Sequence, residues 1–249
     1  MKKVVTGVLM VSCLAGVALA AEWWDKKAYS EWSKREVKRM LDRSPWGKIH
    51  TITILNEMHT GERNFQTIGS GDLEREKLNH FHIRLLSASP IRMALARDIT
   101  LKTKGDADRA ALENLVQRRD TENIVLSISL TSEPAGADSR RFYWSALMSA
   151  RTPDLAKNTF LATKTGKRAY LSHYMPPGED GLGAKLFFPR KMPDGQPLVT
   201  AADKEFKFEM MLTLDRINPQ DARSMRTRTD RIYANFKLSK MMFQGELEF

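Results

Sequence analysis

The sequence is nearly without cysteine: Cys13 is the only one in 249 residues. Disulfide frameworks and thiolate zinc sites need two or more cysteines, so both are excluded and the core must hold without crosslinks. Long apolar runs are equally scarce. Val4 to Leu19 is an almost unbroken apolar stretch, and no later segment approaches the ~20 apolar residues that cross a hydrocarbon core. There is no internal repeat and no low-complexity segment. The chain also lacks a G-x-S-x-G elbow, an S-x-x-K pair and an H-E-x-x-H motif, so no familiar hydrolase or metalloprotease signature is present.

What the N-terminal region does hold is an export signal. Lys2 and Lys3 form a positive region ahead of the apolar stretch, and Ala18-Leu19-Ala20 places small residues where signal peptidase requires them. Residues 1–20 therefore read as a removable signal peptide, and the mature protein is expected in the periplasm or outside the cell. Glu22, Trp23, Trp24 and Asp25 follow at once, which disfavours a retained anchor. Cys13 as a lipid acceptor would lack the usual leucine, because Met10-Val11-Ser12 precedes it.

Charge is the next constraint. The chain carries 40 Lys+Arg against 30 Asp+Glu, a formal +10, and loss of Lys2 and Lys3 leaves +8 (10 − 2). Outside the cytoplasm the anionic partners for such a chain are lipid head groups, lipopolysaccharide phosphates and cell-wall polymers, or an envelope protein. Nucleic acid is not expected there. No oligomeric state is favoured.

Patterning predicts an α+β protein. Ser33 with Glu36 makes a capping box, so a helix starts there, with Val37, Met40 and Leu41 as its apolar stripe, Trp32 stapled onto Val37, and Ser44-Pro45 as its stop. Ile49 to Leu55 alternates as a strand with His50, Ile52 and Ile54 on one face, and Leu78 to Leu86 as another with Phe81, Ile83 and Leu85 inward. Ser89 is read as the cap of a short helix over Ile91–Asp98, and Ala111, Leu112, Leu115 and Val116 mark the next helix. Ile124 to Leu130 is a strand. The Pro- and Gly-bearing stretch Glu133 to Ser139 is the candidate boundary between a mixed half, 21–135, and a mainly antiparallel half, 136–249, the two being separate or continuous.

In the second half a helix is predicted over Arg140–Ser149. Thr159–Thr163 and Arg168–Tyr174 form a hairpin, and Lys185–Phe188 is a short strand. Lys204–Leu214, with Phe206, Phe208, Met210, Leu212 and Leu214 on one face, pairs antiparallel with Ile232–Leu238. Phe243–Phe249 adds an edge strand.

The helix Trp32-Ser33-Lys34-Arg35-Glu36-Val37 running into Ser44-Pro45-Trp46 resembles the start of a family of uncharacterised exported bacterial proteins. Ser89-Pro90-Ile91-Arg92, Phe188-Pro189-Arg190, Asp203-Lys204-Glu205, Phe236-Lys237-Leu238 and Gly245-Glu246-Leu247 are further points of similarity. The resemblance implies an exported protein; it carries no reaction, cofactor or catalytic residue.

Candidate chemistry is sparse, and no residue is put forward as catalytic. His80 and His82, at i and i+2 on a strand, project to one face and are candidate ligands for zinc or copper, although a solvated polar face is the ordinary reading. Glu57 and His59 could reach that site from the loop. Met58-His59 and His173-x-Met175 pair thioether with imidazole, a copper(I)-like combination, but most of the 13 methionines occupy core positions. Gly69-Ser70-Gly71 and Gly178-x-x-Gly181-x-Gly183 read as loops. Asp72 with Glu74, Glu179 with Asp180, and Asp194 are loop carboxylates whose default is solvation. Arg216, Arg223, Arg226, Arg228 and Arg231 gather in the connection between the two strongest strands, where their guanidinium forks could hold phosphate or carboxylate. Trp23 and Trp24 are expected to dock on the domain. The expected function is non-catalytic binding of a partner or ligand at the cell envelope. An envelope hydrolase without a sequence-visible motif and a periplasmic metal-binding protein are the alternatives.

Overall fold

A computed structural model describes residues 22–54, 77–104, 106–135, 138–200, 202–218 and 221–249, with only the backbone described at 138, 215–218 and 221–226. The proposed signal peptide, Cys13, the Gly69-Ser70-Gly71 loop and the candidates Glu57, Met58, His59, Asp72 and Glu74 lie outside the described residues. The protein is α+β, with helices α1 (Lys34–Arg43), α2 (Ser89–Lys102), α3 (Arg109–Gln117), α4 (Asp138–Ser149) and α5 (Thr152–Ala156). Its strands are β1 (Gly47–Ile54), β2 (Lys77–Leu85), β3 (Asn123–Glu133), β4 (Thr159–Thr163), β5 (Arg168–Tyr170) and β6 (His173–Met175). They continue with β7 (Ala184–Pro189), β8 (Glu205–Asn218), β9 (Asp221–Lys237) and the short β10 (Met242–Phe243) and β11 (Glu246–Leu247).

α1 begins as its sequence dictates. Ser33 Oγ accepts the Glu36 N–H and Glu36 Oε2 accepts the Ser33 N–H at 2.8 Å, so each side chain satisfies a backbone donor that the helix cannot. Lys27 reaches the same carboxylate at 2.7 Å, and its hydrogen bond, with those from Ser33, holds Glu36 down to about 2. The helix stops at Ser44, whose backbone is extended. Gly47 then passes beneath the last turn so closely that a Cβ there would lie 2.2 Å from the Leu41 carbonyl oxygen, which only glycine permits. Trp23 and Trp24 dock as expected: Trp23 meets Trp24 and Trp32 edge to face, and Trp24 meets Trp46, with centroids 5.4 to 5.5 Å apart.

Two antiparallel sheets carry the core. The first runs β1-β2-β3-β7-β6 and the second β5-β4-β8-β9. On the inner face of the first, Phe81, Ile83 and Leu85 stand opposite Leu130, Ile128 and Leu126, and all six are buried. The predicted face of β8 is buried too, and Phe188 meets Phe208 across the sheets at 6.1 Å. α4 bridges both sheets, with Tyr143 edge-on to Phe81 at 5.1 Å and donating its hydroxyl to Asp230 of β9 at 2.6 Å.

β3 pairs with β7 across the proposed boundary, so one sheet draws strands from both halves. Several expectations need correction. The anticipated strand Arg168–Tyr174 is broken at Leu171-Ser172, and its two pieces, β5 and β6, belong to different sheets, which makes this segment a corner. α2 is longer than expected, ending at Lys102, and its N-cap is Ala88 without a side-chain cap. The Ser89 N–H is instead accepted by Glu248 Oε2 at 3.0 Å, a cap delivered from 159 residues away. Glu248 also takes the Trp46 indole N–H on its main-chain oxygen at 2.7 Å, and Arg190 reaches the neighbouring Phe249. Three of the patches behind the family resemblance, Ser44-Pro45-Trp46, Ser89-Pro90-Ile91-Arg92 and Phe188-Pro189-Arg190, thus meet one segment. Finally, the arginine-bearing connection is strand rather than loop. β8 and β9 continue as a paired ribbon to Asn218 and Asp221.

Candidate functional site

The histidines come first because the sequence offers them as ligands. Both lie on the outer face of β2, as the alternation requires, but at His82 this face is covered by α1 instead of solvated, while His80 is partly buried between β1 and β3. His82 is buried, its Nδ1 2.9 Å from Asp42 Oδ1 and its Nε2 2.9 Å from Thr131 Oγ1, so both ring nitrogens already have protein partners. His80 Nδ1 lies 2.9 Å from Thr51 Oγ1, and its Nε2 is 3.7 Å from Glu133. Among the described residues no group of three or more His, Cys, Asp or Glu is arranged to hold a metal ion.

Asp42 organises this cluster. Besides His82 it takes Lys38 Nζ at 2.8 Å and Arg84 Nη2 at 3.1 Å, while Arg84 Nε caps the Leu41 carbonyl at 3.2 Å. Burial opposes the charge of Asp42, but hydrogen bonds from His82 and Lys38 and the fields of His82 and Arg84 outweigh it and hold the carboxyl far below the usual carboxylate range. The order Asp42, His82, Thr131 is that of a carboxylate, an imidazole and a hydroxyl in a general-base relay. Two further cations share the carboxylate, however, and the bonds of Asp42 to His82 and Arg84 tie α1 to the sheet. The sequence signal for Asp42 was its place one residue beyond Leu41 in the α1 stripe, facing β2.

The remaining candidates separate in space. His173 and Met175 are exposed on β6, with the His173 ring 5.4 Å from Phe187. Asp180 pairs with Lys185 and accepts the Leu182 N–H, and Asp194 caps the Gln196 N–H at 2.9 Å in a turn.

The arginines lie on the ribbon, Arg216 on β8 and Arg223, Arg226, Arg228 and Arg231 on β9. Arg216 stands directly opposite Arg226 in register. Arg228 Nε grips both oxygens of Asp230 at 2.7 and 2.9 Å, and Arg231 pairs with Glu209 at 2.8 Å. Beyond Met211, β8 is hydrogen-bonded to β9 alone among the described strands.

The Tyr143–Asp230 hydrogen bond fixes α4 against this ribbon. α4 buries Ser139, Tyr143 and Leu147 and turns the opposite side outward. Arg141, Trp144, Ser145 and Met148 fall at i, i+3, i+4 and i+7, one ridge along the helix. Trp144 is 39% and Met148 42% exposed, and Phe142, on the flank, is 38% exposed. Arg140 and Arg141 are exposed at one end of the ridge and Arg151 just beyond the other. This surface was missed in the sequence because α4 was assigned only as a helix, although the spacing of Arg141, Trp144 and Met148 was there to be read.

Against known proteins, no family model matches the chain, and neither a curated protein nor a solved structure matches it.

Proposed function

We propose that this is an exported, non-catalytic protein that docks on an anionic, phosphate-rich lipid surface at the cell envelope. Trp144 and Met148 would enter the interfacial layer, while Arg140, Arg141 and the arginines of the ribbon meet head-group phosphates. The observation that carries the reading is the joining of α4's exposed ridge to the arginine-bearing ribbon through Tyr143 and Asp230. Apolar side chains flanked by arginine are the composition that holds a helix in the plane of an anionic interface. The basic balance supports the same reading, since each basic residue near such a surface contributes about 1 kcal/mol. The test is flotation of the protein with vesicles of phosphatidylglycerol and of phosphatidylcholine. Binding to the first, falling steeply with salt, agrees with the proposal; equal binding to both, or none, rejects it.

The Asp42, His82, Thr131 line favours a second reading, an envelope hydrolase with Thr131 as nucleophile and His82 as base. It requires turnover of an activated ester such as p-nitrophenyl acetate that disappears in Thr131→Val. Turnover unchanged by that substitution, or absent altogether, removes it.

A further inference from the structure

A second surface feature lies on the far side of the first sheet from the core. Val125 of β3, Phe187 and Lys185 of β7 and Met175 of β6 floor a cavity of about 130 Å³, with Leu115 and Arg118 at α3 and Leu182 of the following loop around it. That volume is the size of a cavity that accepts a single benzene ring, ~150 Å³. Arg92 enters this wall from α2, and it is 96% buried, being only 4% exposed. Its Nε donates to the Val116 carbonyl at 3.1 Å, and its Nη1 donates to the carbonyls of Leu86 and Ser87. Its Nη2 makes no hydrogen bond among the described residues, and the guanidinium forms no ion pair among them; the field of Glu248 reaches it, but that carboxylate is taken by the Ser89 N–H and by Arg119.

A buried arginine without a carboxylate in direct contact is uncommon, because a desolvated cation is costly unless an anion pairs with it. The two carboxylates at the cavity are already engaged. Asp180 pairs with Lys185, and Asp120 caps the turn through the N–H groups of Glu122 and Asn123 at 3.0 and 2.7 Å. Beside the floor, Ser127 is 1% exposed and its Oγ has no partner, directly opposite Lys185 in register. The cavity therefore offers a ring-sized apolar space with a cationic donor in its wall that has no direct ion-pair partner.

We infer that this cavity is a binding site for a small apolar carboxylate, of the size of benzoate, with the carboxylate on Arg92 and the hydrocarbon against Val125, Leu115 and Phe187. This site is separate from the α4 surface and does not depend on it. The experiment is isothermal titration of the full mature chain with benzoate, benzamide and benzylamine. One benzoate site is expected, at least tenfold tighter than benzamide, with no binding of benzylamine. Leu115→Trp, which fills the cavity from a half-exposed position, should abolish it, and Arg92→Gln should weaken it at least tenfold. No benzoate binding, benzamide binding as tightly, or benzoate binding unchanged in Leu115→Trp overturns the inference. Should Arg92→Gln fail to fold because its carbonyl contacts are lost, the benzoate to benzamide ratio and Leu115→Trp still decide.

Discussion

The histidine cluster on β2 and the arginine ribbon of β8 and β9 were selected by the same criterion, chemistry-bearing side chains close together in sequence, and they have opposite fates. His82 and Arg84 lie under α1 and are consumed by it: each polar atom of His82 has a partner, and Asp42 collects an imidazole, a guanidinium and an ammonium. The ribbon sets two arginines opposite each other, beside a helix that leaves Trp144 and Met148 outward. Charge answered from within the fold builds the fold. Apolar side chains left outward on a helix, with exposed arginines beside them, are suited to something outside.

The comparison is broken most forcefully at Asp42. Asp42→Ala leaves His82 and Arg84 buried beside each other without a carboxylate, and a loss of about 3 to 5 kcal/mol is expected, read from urea or thermal unfolding. A loss below about 1 kcal/mol would mean that the cluster does not fasten α1 and is free for other work. A smaller effect follows from Ser33→Ala, which removes one half of the capping box and should cost about 1 kcal/mol. The same box sets a pH signature. The Glu36 carboxyl is held at about 2, below its ordinary value, so its contribution is present above the ordinary range and is lost as pH falls toward the folded value. Acid titration of stability should therefore be shallower in Glu36→Gln than in the wild type over pH 4.5 to about 2. Smallest of all, Arg231→Ala removes a half-exposed partner of Glu209 and should move stability by less than about 1 kcal/mol.

Much of the architecture was legible because one-sided patterns survive any tertiary arrangement. The capping box at Ser33, the inward set Phe81, Ile83 and Leu85, and the apolar face of β8 all stand where their spacing puts them. What failed was set by contacts distant in sequence. The cap of α2 comes from Glu248, so Ser89 looked like the cap only because serine usually is one. The corner at Leu171-Ser172 reads as continuous strand because a change of sheet leaves the alternation undisturbed. The outer face of β2 reads as solvent-facing because α1, which covers it at His82, is more than thirty residues away in sequence, as the Asp42 to His82 separation of 40 shows. Of the candidate surface, the arginines were visible by residue type. Trp144 and Met148 were not singled out, since exposure of an apolar helix ridge depends on which side the sheets take.

The most direct measurement of the central claim compares two variants by flotation with phosphatidylglycerol vesicles at low salt. Trp144→Ser/Met148→Ser changes only exposed side chains of α4, and His80→Gln alters the histidine face. The account predicts that the α4 variant keeps its melting temperature and loses at least tenfold in vesicle affinity, while His80→Gln binds as the wild type does. Undiminished binding by the α4 variant, or loss of binding on changing His80 alone, would contradict it.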